Sequence, residues 1–587
     1  MVQDIFPWVT FGGGWESRLS AANLTKGNGG GNIQFSFTLL PAVPTTGGIQ
    51  NHMPAFFTVN NGRQLQLAET ATYSLNPGKS ILLDFLSAPA GCDSHGQNCG
   101  SKQDLTTTNY GSVMVQYVAD NPAYLRGIAK AQLTLLANSS TGAYGWQTTE
   151  HEMFAANLWT APVSVSANQT TNPQTSQQAS AALANPGAAP ITVRGTLYAA
   201  SGQTVTFRDF QVPPLGAVAM VFSQDPSQAY GGFGNAMFPG GKDFNGLVTF
   251  QVVSPTGGVV SAMVLQYVGN AMSSVEVNPQ GTTPVGYEAI TSVTRCAEFP
   301  MAADGSCTSQ FTLPWLVFGA GWESRLKAAN PPSATAGTVQ FRFTLLPAAS
   351  TTSGSKNHLP AYYTDSRSSQ LQVGESATYT LNAGQSVHVN FLNPPASCDL
   401  HGQNCASQPD PSTFAFGSVM VQYSSTDPSA LRRLANPQLA FLTRSSDDSY
   451  SSQITEQGAP AATTWTAPVA MSANQGADPT NNLTASAAIA NPGTTPVTVR
   501  GTLLDQSGNV VTYRDFQIPA SGAIGVAFAW DPSLPQGGFG TAAFPQGQDF
   551  SGWVTFDVTT PGSSGVNVVV LQYVGNTMSS VNVQSLP

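Results

Sequence analysis

Ile191-Thr192-Val193-Arg194-Gly195-Thr196-Leu197-Tyr198 alternates apolar and polar side chains along its whole length. Successive side chains of an extended chain point to opposite faces, so this reads as a strand with one face in a core and one towards water. A Ser201-Gly202 turn follows, and Val205 and Phe207 share a face of the next strand. After Arg208-Asp209 the alternation slips by one, and Phe210 and Val212 become the apolar pair, which predicts a β-bulge at that point. The pattern returns from Val497 to Leu503, with the slip at Arg514-Asp515 between Val511/Tyr513 and Phe516/Ile518.

The rest of the chain follows this pattern. Periodic helical segments are nearly absent; Pro122 to Lys130 and Pro428 to Leu434 each suffice for a turn or two. Short alternating runs punctuated by 57 Gly and 41 Pro predict an all-β chain of antiparallel sandwiches.

The chain is also written twice. Gly14-Trp15-Glu16-Ser17-Arg18-Leu19 returns as Gly321-Trp322-Glu323-Ser324-Arg325-Leu326, and Val264-Leu265-Gln266-Tyr267 as Val570-Leu571-Gln572-Tyr573. Such self-similarity marks duplicated architecture. Within each copy a fainter repeat relates Gly111-Ser112-Val113-Met114-Val115-Gln116-Tyr117 to Ser261-Ala262-Met263-Val264-Leu265-Gln266-Tyr267. Four modules are therefore expected, at 1–145, 146–280, 311–452 and 453–587, with an inter-repeat insert at 281–310 carrying Cys296 and Cys307. The polar stretches Ser139 to Ala156 and Ser445 to Thr464 are placed at module boundaries.

Modules two and four carry Asn185-Pro186-Gly187 and Asn491-Pro492-Gly493 turns, the hairpin above, and Pro213-Pro214-Leu215-Gly216 before a further strand. This order resembles the tandem immunoglobulin-like or fibronectin-III-like modules of secreted bacterial proteins. The resemblance implies architecture only, because such sandwiches serve adhesion, sugar binding, filament building and spacing alike.

Only 9% of the residues are Asp, Glu, Lys or Arg, against about 25% in ordinary soluble proteins, so Thr, Ser, Asn, Gln and Gly must cover most of the surface. Net charge is −10 with no basic run, which excludes a nucleic-acid partner. No stretch approaches the 18 or so apolar residues of a transmembrane span. The start, Met1-Val2-Gln3-Asp4-Ile5-Phe6-Pro7-Trp8, lacks the regions of a signal peptide, so the chain reads either as a mature secreted form or as one that is not secreted.

The cysteines favour the first. Six cysteines allow 15 connectivities, yet Cys92 with Cys99 and Cys398 with Cys405 are copies of one motif, Cys-Asp-x-His-Gly-Gln-Asn-Cys, and Cys296 with Cys307 is a third close pair. Local disulfides are the economical reading; each short loop closed stabilises by roughly 2.5 kcal/mol. Disulfides imply an oxidising, extracellular compartment with a signal peptide removed.

For chemistry the duplication is an internal control. His151, beside Glu150 and Glu152, faces Gln457 in the other copy, and His388 faces Leu82, so neither belongs to a shared site. His52/His358 and His95/His401 do match; Asp93 with His95, and Asp399 with His401, are weak metal candidates against a bland reading of loops whose polar side chains satisfy the backbone. Matched carboxylates include Glu16/Glu323, Glu69/Glu375 and Asp209/Asp515, but nothing in their spacing selects a catalytic pair. Glu16 near Arg18, and Arg208 beside Asp209, read as ion pairs. Asp225-Pro226-Ser227 with Gly231-Gly232-Phe233-Gly234, and Asp243-Phe244-Asn245-Gly246, offer oxygen to calcium without the regular acidic spacing of a calcium loop. No other cofactor is implied.

Trp15/Trp322 and Phe233/Phe539 stand beside glycines, where a ring is presented to a sugar or partner or else packs in a core. Trp553 faces Leu247 in the other copy and reads as an apolar filler. The leading expectation is a non-catalytic extracellular structural or adhesive protein that meets copies of itself or a cell-surface or polysaccharide partner. A carbohydrate-binding protein and a secreted hydrolase are the alternatives.

Overall fold

The computed structural model describes residues 2–23, 31–44, 56–59, 64–66, 68–87, 109–121, 125, 128–138, 144–150, 155–166, 176–238, 244–269, 271–275, 277–280, 304–319, 321–332, 337–349, 362–364, 370–372, 374–391, 415–432, 434–444, 450–472, 483–534, 536–544, 550–563, 565–574, 577–581 and 583–585. The chain is all-β. The first module holds β1 (Val2–Phe11), β2 (Trp15–Asn23), β3 (Ile33–Pro44), β4 (Phe56–Val59), β5 (Gln64–Gln66), β6 (Thr70–Leu75), β7 (Ser80–Ser87), β8 (Asn109–Ala119) and β9 (Ile128–Asn138), followed by β10 (Tyr144–Glu150). The second holds β11 (Leu158–Val165), β12 (Gln177–Asn185), β13 (Ile191–Ala199), β14 (Thr204–Val212), β15 (Gly216–Val221), β16 (Phe244–Ser254), β17 (Ser261–Val268), β18 (Ala271–Val275) and β19 (Asn278–Gln280).

The other half repeats these strand for strand. The third module holds β20 (Cys307–Phe318), β21 (Trp322–Ala329), β22 (Val339–Ala349), β23 (Tyr362–Thr364), β24 (Gln370–Gln372), β25 (Ser376–Leu381), β26 (Ser386–Phe391), β27 (Ala415–Ser425), β28 (Ala435–Arg444) and β29 (Tyr450–Gln457). The fourth holds β30 (Thr464–Met471), β31 (Leu483–Asn491), β32 (Val497–Asp505), β33 (Val510–Ile518), β34 (Gly522–Ala527), β35 (Phe550–Val558), β36 (Asn567–Val574), β37 (Thr577–Val581) and β38 (Gln584–Ser585). Pro428–Arg432 makes one helical turn, whereas the stretch from Pro122 to Lys130 is already strand by Ile128.

Each module packs two sheets over a core, and the core of the third also takes in Ala488, Val569, Leu571 and Met578 of the fourth. In β3, Ile33, Phe35, Phe37 and Leu39 alternate with Gln34, Ser36 and Thr38, and the apolar set is buried against Phe85, Leu133 and Leu135 of the facing sheet. Module two does the same with Trp159, Leu183, Val193, Phe210, Phe222 and Phe250. Burial of each such side chain contributes about 2–3 kcal/mol, which is what selects strand register here.

The sheets do not stop at the module boundary. One runs β1-β8-β3-β15-β12-β17-β18, with β6 also paired to β3, so that both modules of the first half share it. The join is a short parallel pairing in which Ala42 and Val43 of β3 meet Ala217 and Val218 of β15, and β22 meets β34 likewise in the second half. The expectation of separate, purely antiparallel sandwiches is corrected on both points. The strand order differs as well. Of its seven strands β11 to β17, module two lays β14-β13-β16-β11 in one sheet, with β19 added beyond β11, over β15-β12-β17 in the other, with β18 added beyond β17, so the first of the seven lies beside the sixth and the seventh beside the second. An immunoglobulin sandwich places those two terminal strands the other way round.

The predicted bulge at Arg208-Asp209 is absent. Pairing runs in register from Ile191↔Val212 through Arg194↔Asp209 to Leu197↔Thr206, and the shift comes beyond, where Tyr198 meets Thr204. The apparent slip has another cause: Phe207 is 59% exposed and Val205 is exposed too, on the outer face, while Phe210 and Val212 point into the core. Val511 and Tyr513 repeat this in β33.

The four modules close into a ring. Modules one and two, and three and four, are joined through shared sheets. Modules two and three meet face to face through Val268, Ala271, Ala440 and Leu442, and through Leu247 with Ala329. Modules four and one meet through Trp553 and Ala22. At the centre the terminal strands β10, β18, β29 and β37 converge. There Gln147 Nε2 donates to Ser579 Oγ, Ser273 and Thr455 hydroxyls lie 2.8 Å apart, Ser274 N–H donates to Thr148 Oγ1 and Ser580 Oγ to the Thr455 carbonyl. Only about 10 Å³ remains free at this polar hub. The stretches placed at module boundaries thus contain β10 and β29, two of the four central strands.

Candidate functional site: twin aromatic cavities

The side chains that shape the site begin with Arg208. Its guanidinium donates to the carbonyls of Gly231 and Gly232, both at 2.7 Å, and to that of Pro226 at 2.8 Å. Asp225 closes the same loop by accepting from Ser227 N–H and Oγ, bonds that hold its carboxyl below the usual carboxylate range. Side chains are shut out at Gly231 and Gly232, where a Cβ would lie 2.2 Å from the carbonyl oxygens of Asp225 and Val221. Arg514, Asp531, Gly537 and Gly538 repeat the arrangement. Three backbone carbonyls of the first loop considered for calcium thus accept from one guanidinium, and Asp243 of the second lies outside the described residues. Asp209, expected to pair with its neighbour Arg208, instead makes a two-bond pair across the strands with Arg194, at 2.8 and 2.9 Å.

The clamped loop carries Tyr230, held at φ 59, to the seam where β1 crosses β12 and β17. Trp8 and Tyr110 stack there with centroids 4.8 Å apart, and Tyr230 meets Tyr110 edge-on at 5.7 Å. These rings, with Trp15, Tyr267 and Met263, line a cavity of about 290 Å³. Burial pushes the Tyr230 hydroxyl up to about 12, so it stays protonated. Ser180 Oγ donates to Tyr267 Oη at 3.3 Å on the cavity wall.

The second half holds a counterpart, also of about 290 Å³, lined by Trp315, Trp530, Tyr573, Leu571 and Gln536. Trp315 packs on Phe416 at 5.0 Å, as Trp8 does on Tyr110, and Ser486 Oγ donates to Tyr573 Oη at 3.3 Å. Gln536 stands where the first copy has Tyr230, and Gly525 where it has Ala219; at Gly525 a Cβ would come within 3.1 Å of the Trp315 ring.

Of the contact aromatics named from sequence, Trp15 reaches the first cavity, while Trp322 packs half-buried against the third module's core. Phe233 and Phe539 are buried core residues in edge-to-face contact with Phe222 and Phe528, so neither is presented to a partner. Sequence reasoning missed Trp8, Tyr110 and Tyr230; the signal is the repeat of Trp8 as Trp315, which in the sequence looks like the mere opening of a strand. Glu16 and Glu323 bond Arg18 and Arg325 at 2.6 Å, as expected. Cys307 is fully buried and disulfide-bonded. Its partner lies outside the described residues, as do Cys92, Cys99, Cys296, Cys398, Cys405, Asp93, His95, Asp399, His401, His52 and His358. Among the described residues no three His, Cys, Asp or Glu side chains gather as a metal site, and no helix is long and apolar enough to cross a membrane. No family model matches the chain, and no curated protein matches it.

Proposed function

We propose that this is a non-catalytic, extracellular structural protein that works by contact between copies of itself. The observation that carries the reading is the pair of strands β14 and β33. Each ends its five-stranded sheet, so its outer backbone groups lack a strand partner in that sheet. Each also exposes apolar side chains, Val205 and Phe207 in one, Val510, Val511 and Tyr513 in the other. A terminal strand nine residues long with an apolar outer face is a template for a further strand. Its charges offer no obstacle, because Arg194 neutralises Asp209 and lies over Phe207 at 4.6 Å, with Arg500, Asp515 and Tyr513 repeating this. One molecule offers two such edges, so pairing between copies extends into an open chain. The two-layer build that the modules share with immunoglobulin-like sandwiches, together with the disulfide reading of the cysteines, supports an extracellular structural role.

Sedimentation of the oxidised full chain across a concentration series tests the reading. Growth beyond the monomer with concentration is expected, and Phe207→Lys with Tyr513→Lys should abolish it. A strict monomer at every concentration, or association unaffected by the pair, would overturn it.

A further inference from the structure

The twin cavities play no part in edge pairing. Three properties of their walls define what they would hold. No Lys, Arg, His, Asp or Glu lines either one, so a charged ligand would lose its hydration without a counter-charge. Both carry the same polar pair, Ser180 with Tyr267 or Ser486 with Tyr573, and it is the one polar feature the two share, since Thr10, Tyr110 and Tyr230 belong to the first alone and Thr484 and Gln536 to the second; a ligand common to both therefore meets one hydrogen-bonding group, and each sugar hydroxyl left unmatched costs about 1–3 kcal/mol. Both present a tryptophan backed by a second ring, Trp8 on Tyr110 and Trp315 on Phe416.

Size narrows the class further. An apolar cavity of about 150 Å³ accepts one benzene, and each of these offers about 290 Å³. The walls have diverged between copies: Met220 and Tyr230 of the first correspond to Val526 and Gln536 of the second, and Trp15 and Met263 line only the first while Trp530 lines only the second, yet the free volume is the same. A seam left over from imperfect packing would follow the side-chain volumes around it.

We infer that each half of the chain carries a binding site for an uncharged aromatic molecule of one or two rings bearing a single hydroxyl, seated between Trp8 and the Ser180–Tyr267 pair or between Trp315 and the Ser486–Tyr573 pair. Trp530, 52% exposed, leaves the second site open to solvent at its rim.

Calorimetric titration of the full chain with 2-naphthol tests this, with glucose and benzoate as the sugar and anion comparisons. Two sites per chain are expected for 2-naphthol and none for the others. Ala182→Phe, which fills the first cavity, should leave one site, and Ala488→Phe the other one. Should either filled variant fail to fold, Ser180→Ala and Tyr267→Phe serve instead, each weakening the first site about fivefold, the loss of roughly 1 kcal/mol. Absence of 2-naphthol binding, equal binding of glucose or benzoate, or a stoichiometry and affinity unmoved by these variants would overturn the assignment.

Discussion

Lys327 of β21 stands directly opposite His388 of β26 in the strand register. Lys327 is buried on the seam where modules two and three pack, and the first copy has Ser20 and Leu82 at these positions. Trp553 supplies bulk at the other seam where Leu247 stands here. Burial lowers Lys327 to about 7, with Arg325 adding to the effect, and holds His388 well below its ordinary value, again chiefly through burial.

Both groups are bases made weaker by folding, so the unfolded chain takes up protons that the folded chain refuses. Stability is present in full above the ordinary lysine range and is lost as pH falls towards about 7, with a further loss below the ordinary histidine range as His388 resists charging. The expected size for Lys327 is a few kcal/mol, because each tenfold weakening of its hold on a proton corresponds to about 1.4 kcal/mol. Thermal melts at about pH 9 and about pH 6 should show the wild type losing much more than Lys327→Met combined with His388→Leu. Parallel losses in the two proteins would contradict this.

Glu456 lies in β29 beside the polar hub and is buried, and desolvation raises its carboxyl well above the ordinary value while the Trp315 N–H pulls the other way. The sign is opposite to that of the lysine. A raised acid contributes its stability in full below the unfolded value and loses it as pH rises, because the unfolded carboxyl ionises first. Glu456→Gln should therefore melt higher than wild type at neutral pH, with the gap closing below about pH 4. A variant that melts lower at neutral pH would show that the carboxylate form is the one the fold needs.

The all-β class was legible because Ile191 to Tyr198 and its copy alternate cleanly, and the duplication was legible letter by letter. The ring was not. Its seams are made by small residues, Ala42 on Ala217 and Ala22 under Trp553, which carry no periodic signal. Phe207 misled for a related reason: an aromatic residue on an outer face looks, in a string of letters, like a strand that has changed register. Trp8 and Tyr110 were invisible as a pair because β1 and β8 are brought together across about a hundred residues of chain, and nothing local marks which of a strand's rings will face a seam.

Arg208 makes a prediction that separates charge from shape. Its fork donates to three carbonyls at once, a geometry lysine cannot match. Arg208→Ala should cost about 3 kcal/mol, and Arg208→Lys should recover little of it. Because the same loop carries Tyr230 into the first cavity, proteolytic cleavage within residues 223–238 should accelerate in both variants. Full recovery by lysine would reduce the clamp to a simple positive charge.

Closure of the ring rests on glycine. Gly508 sits at φ 80, and a Cβ there would lie 2.6 Å from the carbonyl oxygen of Gly78, itself at φ 77, while Gly202 and Gly384 make the matching contact at the opposite seam. Gly508→Ala combines two penalties, a left-handed backbone that alanine disfavours by about 1 kcal/mol and a clash across the seam. Gly257 supplies the comparison: it has φ 82 with nothing within 4 Å of where a Cβ would go, so Gly257→Ala carries the backbone penalty alone. Denaturant unfolding of both should place Gly508→Ala lower by a further 1–2 kcal/mol or so. It should also make cleavage at the turn following β6 faster in Gly508→Ala only, because the clash pushes that turn away from module four. Equal losses for the two variants would mean that the turns do not bear on one another and that the ring is closed by the faces at Trp553 and Leu247 alone.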